Sequence, residues 1–287
     1  MQSSVLTLTV WLASAWSAGL ASSVAAQDRG FVGAESQLAE HDDGARFRTA
    51  ARSAAAGTFL RLTESPTTST HRVSVSTHGG YDASRQATLL DARGDIVLLS
   101  HTGLERRSKV GLAVVGGGSY SVGSPAVSDF SSARAGLKVQ PIFQEQLGFD
   151  AAVSVTYDSR GFNLVPAIST DLLLARSIGQ TQLVLNIGYG AGVRESERAG
   201  RLRAAVLTRL VADLRVGLEA RGQLDLERDD DEPSGESDYE VTASAVANYT
   251  ISHLSLTAGV GPGAVRYRDG QETHVGVVAT FGVGATL

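Results

Sequence analysis

Residues 181–193 read TQLVLNIGYGAGV, and in this stretch apolar residues alternate with glycine or polar residues. The apolar set consists of Leu183, Leu185, Ile187, Tyr189, Ala191 and Val193. The opposite set consists of Gln182, Asn186, Gly188, Gly190 and Gly192, with Val184 as its apolar member. Because successive side chains leave a β-strand on opposite faces, this period of two predicts a strand with one apolar and one polar face.

The same alternation recurs along the chain in about twelve tracts, each about as long as a tilted strand that crosses a bilayer. The tracts are 71–79, 86–99, 109–120, 133–139, 149–157, 162–174, 181–193, 202–210, 214–226, 238–249, 254–267 and 273–287. We therefore predict an all-β fold: a transmembrane antiparallel up-and-down β-barrel of about 12 strands, within a range of about 10 to 14. An even number suits a barrel with both termini on one side, and Gly261-Pro262-Gly263 predicts a β-bulge.

The residues between the tracts support a membrane barrel. If the C-terminus is periplasmic, the inner turns at 211–213 and 251–253 are short, and the outer loops at 194–200, 228–237 and 268–272 are polar and longer. Aromatic residues near tract ends predict girdles at the membrane interfaces. They are Tyr120, Phe130, Phe143, Phe149, Tyr157, Phe162, Tyr239, Tyr249 and Tyr267.

Composition excludes several classes of protein. The 287 residues are 43% apolar, which excludes a disordered chain, and they lack the long apolar runs of a helical membrane protein. There is no cysteine, so disulfides and thiolate metal sites are excluded. The net charge of −5 argues against a nucleic-acid partner.

The N-terminal residues do not alternate. Residues 5–20 are apolar and Val24-Ala25-Ala26 fits a small-residue cleavage site, which predicts a signal peptide over residues 1–26. Residues 27–69 are then a periplasmic segment, either partly helical from Ala45 to Ala56 or a poorly ordered leader. The β-barrel domain is predicted over residues 70–287.

The strand pattern, the Gly161-Phe162 pair and the C-terminal tract 273–287 resemble those of Gram-negative outer-membrane barrel proteins, including the myxobacterial type. One departure is that the chain ends on Leu287 where that group has a terminal aromatic residue. The resemblance implies a place in the outer membrane among lipid and lipopolysaccharide. It also implies that the barrel-assembly machinery recognises the C-terminal strand. It implies no particular activity.

Charged residues on the inward faces are the best candidates for function. The lumen-lining candidates are Arg134, Lys138, Asp150, Asp171, Arg203, Arg209, Arg215, Glu219, Arg221, Glu240 and His274. One interpretation is a lining that selects anionic solutes near the periplasmic mouth, where Arg209 and Arg215 flank one turn. The other is a network of ion pairs that fills a narrow lumen, because unpaired charge in a confined site is costly.

Catalytic motifs are absent from the sequence: there is no Gly-x-Ser-x-Gly, His-Glu-x-x-His or phosphate-binding loop. No cofactor or metal is predicted, and the acidic loop 229–232 lacks the spacing of an EF-hand. The predicted function is a structural barrel or a narrow passive channel for small solutes. The alternatives are an adhesion barrel acting through its outer loops, a lipid hydrolase using His274, and a soluble periplasmic all-β binding protein.

Overall fold

The computed structural model describes residues 73–100, 110–122, 130–159, 166–193, 198–226, 237–267 and 273–287. Within these residues, twelve antiparallel strands form one closed barrel, which confirms the predicted fold class. They are β1 (Val73–Asp82), β2 (Ala87–Leu99), β3 (Gly111–Val122), β4 (Phe130–Ile142), β5 (Asp150–Asp158), β6 (Ala167–Ile178), β7 (Thr181–Gly192), β8 (Arg198–Arg209), β9 (Leu214–Asp225), β10 (Ser237–Ile251), β11 (Leu254–Tyr267) and β12 (Thr273–Thr286). The predicted signal peptide and the segment 27–69 lie outside the described residues.

The barrel closes where its first and last strands meet. Each strand pairs with the next strand in the chain, and β1 pairs with β12. At this seam Val73 N donates to Leu287 O at 3.0 Å and Leu287 N donates to Val73 O at 2.8 Å. We call the end of the barrel that contains this pair the terminal rim and the opposite end the loop rim.

The shortest connections lie at the terminal rim, although β1–β2 at the loop rim is joined by only four residues and β4–β5 at the terminal rim by seven. At the terminal rim, β6–β7 and β10–β11 are joined by two residues each, and β8–β9 by four. Connections at the loop rim reach eleven residues, at 226–236. The connection 100–110 is also eleven residues long but lies at the terminal rim, so the expected pattern of short turns at one end is incomplete.

A short helix closes part of the terminal rim between β4 and β5. This helix, α1 (Gln144–Leu147), ends at Gly148, whose positive φ of 80° suits glycine. The Gln144 side chain accepts from Ser177 N at 2.8 Å and donates to Ser177 O at 3.0 Å. The helix is thereby bonded to the end of β6. No helix in the described part of the chain is long and apolar enough to cross a membrane.

Apolar side chains cover the outside of the barrel and polar side chains fill the inside. On β10, Val241 and Tyr249 are 49% and 42% exposed, whereas Thr242 and Asn248 are 5% and 1% exposed. The other strands repeat this arrangement, with Leu218, Leu202 and Phe281 among the exposed apolar residues. A water-soluble barrel would bury these side chains, so the apolar belt identifies a surface that faces lipid.

The aromatic girdle is confirmed at some positions and wrong at one. Tyr157 and Tyr249 are exposed on the outer surface near the ends of their strands, as expected. Tyr81 and Tyr189 are also exposed and lie near the loop rim, as Tyr157 does. Phe143 is buried, and it is the residue at the N-terminal cap of α1, so it does not contribute to an exposed girdle. The side chains of Phe130, Phe162 and Tyr267 lie outside the described residues.

Two local expectations on the strands are corrected. No bulge occurs at 261–263: β11 keeps one register with β12 through Gly261, Pro262 and Gly263. Pro262 has no N–H to donate, and it lies on the outward face without shifting the strand. The register shift is instead at the loop-rim end of β10, between Ser237 and Tyr239. β6 begins at Ala167, and the Gly161-Phe162 pair lies outside the described residues.

Candidate functional site

The half of the lumen next to the terminal rim is filled by inward polar pairs. Lys138 Nζ donates to Asp95 Oδ2 at 2.9 Å, and Gln140 Nε2 donates to Asp150 Oδ1 at 3.1 Å. Lys138 is 2% and Gln140 0% exposed. Such a pair tolerates burial because each charge or amide retains a partner. Two of the predicted lumen residues, Lys138 and Asp150, therefore take part in a buried network.

Apolar side chains occupy the same level of the lumen on β6, β7, β8 and β10, beginning at Ala175, the register partner of Asp150. This apolar cluster consists of Ala175, Val184, Ala205, Leu207 and Val246, none more than 6% exposed. Leu207 of β8 and Val246 of β10 both pair in register with Gly217 of β9. Because glycine has no side chain, Leu207 and Val246 can approach each other across β9. Inward side chains buried this completely leave little room for water at this level.

The two arginines predicted near the periplasmic mouth, Arg209 and Arg215, flank the β8–β9 turn at the terminal rim. Arg209 and Arg215 face each other in register across the β8–β9 turn. Arg209 Nε donates to Ala212 O at 2.8 Å and to Val211 O at 3.4 Å. The cleft beside the two arginines measures about 20 Å³, which is room for about one water molecule. These contacts give Arg209 a role in stabilising the turn.

The half of the lumen next to the loop rim contains a cavity of about 190 Å³. We call it the arginine cavity, because six arginines and three carboxylates are among its lining residues and leave a formal excess of three positive charges. These residues are Arg85, Arg93, Arg134, Arg201, Arg203, Arg221, Asp91, Asp158 and Glu240. The concentration of positive charge expected near the periplasmic mouth is therefore found at the other end of the barrel, near the loop rim.

Most of the arginines are held by carboxylates. Glu240 lies between Arg85 and Arg221, with Arg221 Nη2 donating to its Oε1 at 2.5 Å. Arg93 Nε donates to Asp91 Oδ2 at 2.6 Å. Such pairs fix guanidinium groups on several strands around one space.

A further pair in this half involves a weaker contact. Arg134 Nε lies 3.6 Å from Asp158 Oδ1, beyond ordinary hydrogen-bond distance. Asp158 also accepts from Ser169 Oγ at 2.8 Å, which orients the carboxylate from the neighbouring strand.

One ion pair crosses an intervening strand. Asp171 of β6, Gly188 of β7 and Arg201 of β8 share one register, and Arg201 Nη2 donates to Asp171 Oδ2 at 3.2 Å. A Cβ atom at Gly188 would lie 2.1 Å from Asp171 Oδ1 and 3.0 Å from Arg201 Nε. The glycine therefore provides the space that this ion pair occupies, and the Gly-rich sequence of β7 serves packing in the lumen.

Arg203 differs from the other arginines of the cavity. It is only 5% exposed, and no described residue forms a hydrogen bond or an ion pair with it. Its register partner on β9 is Arg221, a residue of like charge, and on β7 it is Asn186. The next inward residue on β8 toward the terminal rim is Ala205 of the apolar cluster. Arg203 thus lies where the charged half of the lumen meets the apolar half.

The predicted candidates are therefore distributed over the whole lumen. Arg134, Arg203, Arg221 and Glu240 line the arginine cavity, and Asp171 bonds to one of its arginines. Glu219 is buried near the middle of β9, and His274 is exposed at the loop-rim end of β12. The acidic loop 229–232 lies outside the described residues, and no cluster of metal-ligating side chains occurs within them.

Sequence reasoning missed five charged residues of the cavity: Arg85, Arg93, Arg201, Asp91 and Asp158. Arg201 lies outside the predicted tract 202–210, because β8 begins earlier, at Arg198. Alternation within 86–99 puts Asp91, Arg93 and Asp95 on one face, a signal that could have identified two of the five.

Comparison with known proteins supports the fold. No family model matches the sequence, and no curated protein is significantly similar to it. The porin NanC has a similar structure, with a TM-score of 0.50, 9% identity, and coverage of 74% of this chain and 100% of that chain. Two outer-membrane channels give lower scores. The channel from Pseudomonas putida F1 has a TM-score of 0.44 at 11% identity, covering 75% of this chain and 94% of that chain. DcaP of Acinetobacter baumannii has a TM-score of 0.39 at 10% identity, covering 76% of this chain and 95% of that chain.

The likeness to NanC supports the closed β-barrel fold, and the apolar belt gives this barrel a surface that faces lipid. The myxobacterial type expected from the sequence stays a prediction.

Proposed function

We propose that this outer-membrane barrel is a narrow passive channel that prefers small anions. The observation that carries the proposal is the arginine cavity, where six guanidinium groups face three carboxylates in a space of about 190 Å³. A fixed positive excess in a confined pore attracts anions and repels cations, because the surrounding protein screens charge poorly. The porin NanC has a similar fold, which agrees with the proposal.

The filled half of the lumen limits the size of the solutes that the channel is expected to pass. Anions that reach Arg203 meet the apolar cluster around Leu207 and Val246 next. An apolar constriction resists water and ions, so passage is expected to be slow and restricted to small solutes. The same filling agrees with a structural barrel, which is the second form of the proposal and predicts no conductance.

The remaining alternatives have weaker support. No histidine is among the described residues that line the arginine cavity, so the cavity offers no Ser–His pair for a hydrolase. We therefore propose a non-enzymatic protein. An adhesion role would rest on the loop 226–236, and deleting Asp229 to Glu236 would abolish it without affecting conductance. We also propose that the belt contacts lipid and lipopolysaccharide, and that the assembly machinery recognises β12.

Conductance across a planar bilayer tests the proposal. We expect small unitary current steps and, in a KCl gradient, a reversal potential of the sign that anion preference gives. Leu207→Ala removes the largest side chain of the apolar cluster and is expected to increase the step size. The control is Val206→Ala, because Val206 is the neighbouring residue on the lipid-facing side and 46% exposed.

The outcomes separate the two forms of the proposal. If the folded wild-type barrel and the folded Leu207→Ala barrel both fail to conduct, the channel is excluded and a structural barrel remains. Cation preference would contradict the role given to the arginine cavity. Folding of each variant is checked by faster gel mobility of the unheated sample than of the boiled one.

A further inference from the structure

Arg203 carries a buried positive charge with which no described residue forms a hydrogen bond or an ion pair. The Asp171 carboxylate attracts this charge from a longer distance, but it is already paired with Arg201. The other five arginines of the cavity each lie against a carboxylate: Arg85 and Arg221 on Glu240, Arg93 on Asp91, Arg134 on Asp158, and Arg201 on Asp171. Removing a guanidinium from water without a partner is strongly unfavourable. A group that enters the cavity with negative charge would therefore be stabilised there.

The position of Arg203 favours a binding site over a surface that solutes merely pass. Toward the terminal rim the next inward side chains of β8 are Ala205 and Leu207, which belong to the apolar cluster. Toward the loop rim the arginine cavity is open enough to hold about 190 Å³. Arg203 thus lies at the closed end of a cavity that is entered from the loop rim, and the apolar floor strengthens electrostatic attraction at this depth.

The volume of the cavity and its guanidinium groups limit which ligands can bind. A volume of about 190 Å³ has room for several water molecules or for one small solute. The planar guanidinium presents parallel N–H groups that match two oxygens of a carboxylate or a phosphate. Arg221, the register partner of Arg203, adds a second positive charge on the same side of the lumen.

We propose that the floor of the arginine cavity is a binding site for one small free oxyanion, a phosphate or a short polycarboxylate, with Arg203 as its main binding residue. The site deepens the proposed channel function, because the channel would bring the anion to Arg203. Binding itself does not require conduction through the apolar cluster. The two proposals can therefore fail separately.

Isothermal titration calorimetry on the folded full-length barrel in uncharged detergent micelles, at an ionic strength of about 0.15 M, tests the site. The probes are inorganic phosphate and citrate, and each is expected to bind saturably with one site per barrel. Arg203→Gln is expected to weaken binding at least about tenfold, because it removes one partner of a desolvated charge pair. Arg203→Lys keeps the charge without the paired N–H groups and should give an intermediate affinity.

Arg209→Gln is the matched control. It removes the same charge from the same strand at the terminal rim, where Arg209 bonds to turn carbonyls outside the cavity. Its affinity for both probes is expected to stay within about twofold of the wild type, because charges at this distance are screened by salt.

Four results would overturn the proposal. They are no saturable binding of either probe by the folded wild-type barrel, an unchanged affinity in Arg203→Gln, an equal loss in Arg209→Gln, and binding of a short-chain phosphatidic acid without binding of free phosphate or citrate. The last result would assign the positive charge to a lipid headgroup.

Discussion

The two halves of the lumen are built on the same twelve strands and the same alternation, yet they differ in what the inward residues do. Toward the terminal rim, Lys138 and Asp95 form a buried pair and Leu207 packs among apolar side chains. Toward the loop rim, six arginines surround open space. A period of two therefore determines which face is inside, whereas the residue types at each level determine whether the inside is filled or open.

The largest expected difference between the halves is on β4, which carries one inward cation in each half. Lys138→Ala would leave Asp95 buried without this counter-ion and should lower the free energy of unfolding by about 3–5 kcal/mol. Arg134→Ala should cost about 0–1 kcal/mol, because the Arg134 and Asp158 side chains are 22% and 12% exposed and 3.6 Å apart.

Urea unfolding in detergent, followed by circular dichroism, measures both values. Similar losses in Lys138→Ala and Arg134→Ala would remove the energetic distinction between the filled and open halves. Arg134→Ala should in addition weaken the anion preference in a salt gradient, since Arg134 lines the arginine cavity.

A smaller effect is expected from filling space in the loop-rim half. Gly188→Ala would place a Cβ atom against Asp171 and Arg201 and should cost about 1–3 kcal/mol by overpacking. Gly190→Ala is the control on the same strand and face, because its nearest neighbour would be Ser169 Oγ at 3.4 Å. Equal unfolding midpoints for the two variants would show that the Arg201–Asp171 pair has room to move aside.

The smallest expected effect concerns neutral hydrogen bonds. Thr257→Val removes the hydroxyl that accepts from Asn248 Nδ2 at 3.0 Å in the filled half, and should cost about 1 kcal/mol or somewhat more. Ser119→Ala breaks the half-buried Ser119–Ser132 contact in the open half, where water can replace the lost partner. A larger loss in Ser119→Ala than in Thr257→Val would reverse the assignment of filled and open halves.

The strand architecture could be predicted from the sequence because alternation is local. The tract 254–267 coincides with β11, and the outward positions of 238–249 are outward in β10. Val184, the apolar exception on the polar face, is inward as the period requires and belongs to the apolar cluster. Alternation predicted that the Val184 side chain points inward. It could not predict that Leu207 and Val246, on other strands, belong to the same apolar cluster.

The arginine cavity could be predicted only in part, because its assembly depends on distances between strands. The pair of Arg201 with Asp171 requires the register of three strands and the empty place at Gly188. The surplus charge of Arg203 becomes visible only after every other arginine has been matched with its carboxylate. Residue types alone therefore predicted charged lumen residues without showing which of them lack a partner.

The pairing of β1 with β12 is expected to form last when the barrel folds. Eleven neighbouring strand pairs join consecutive strands, but the twelfth brings Ser74 opposite Thr286. Ordering nearly the whole intervening chain before this contact forms has an entropic cost and slows closure. Until the last strand arrives, the growing sheet has two unpaired edges that are prone to aggregate or to be degraded. Pairing of β12 with β1 therefore removes both exposed edges and converts the open sheet into a closed barrel.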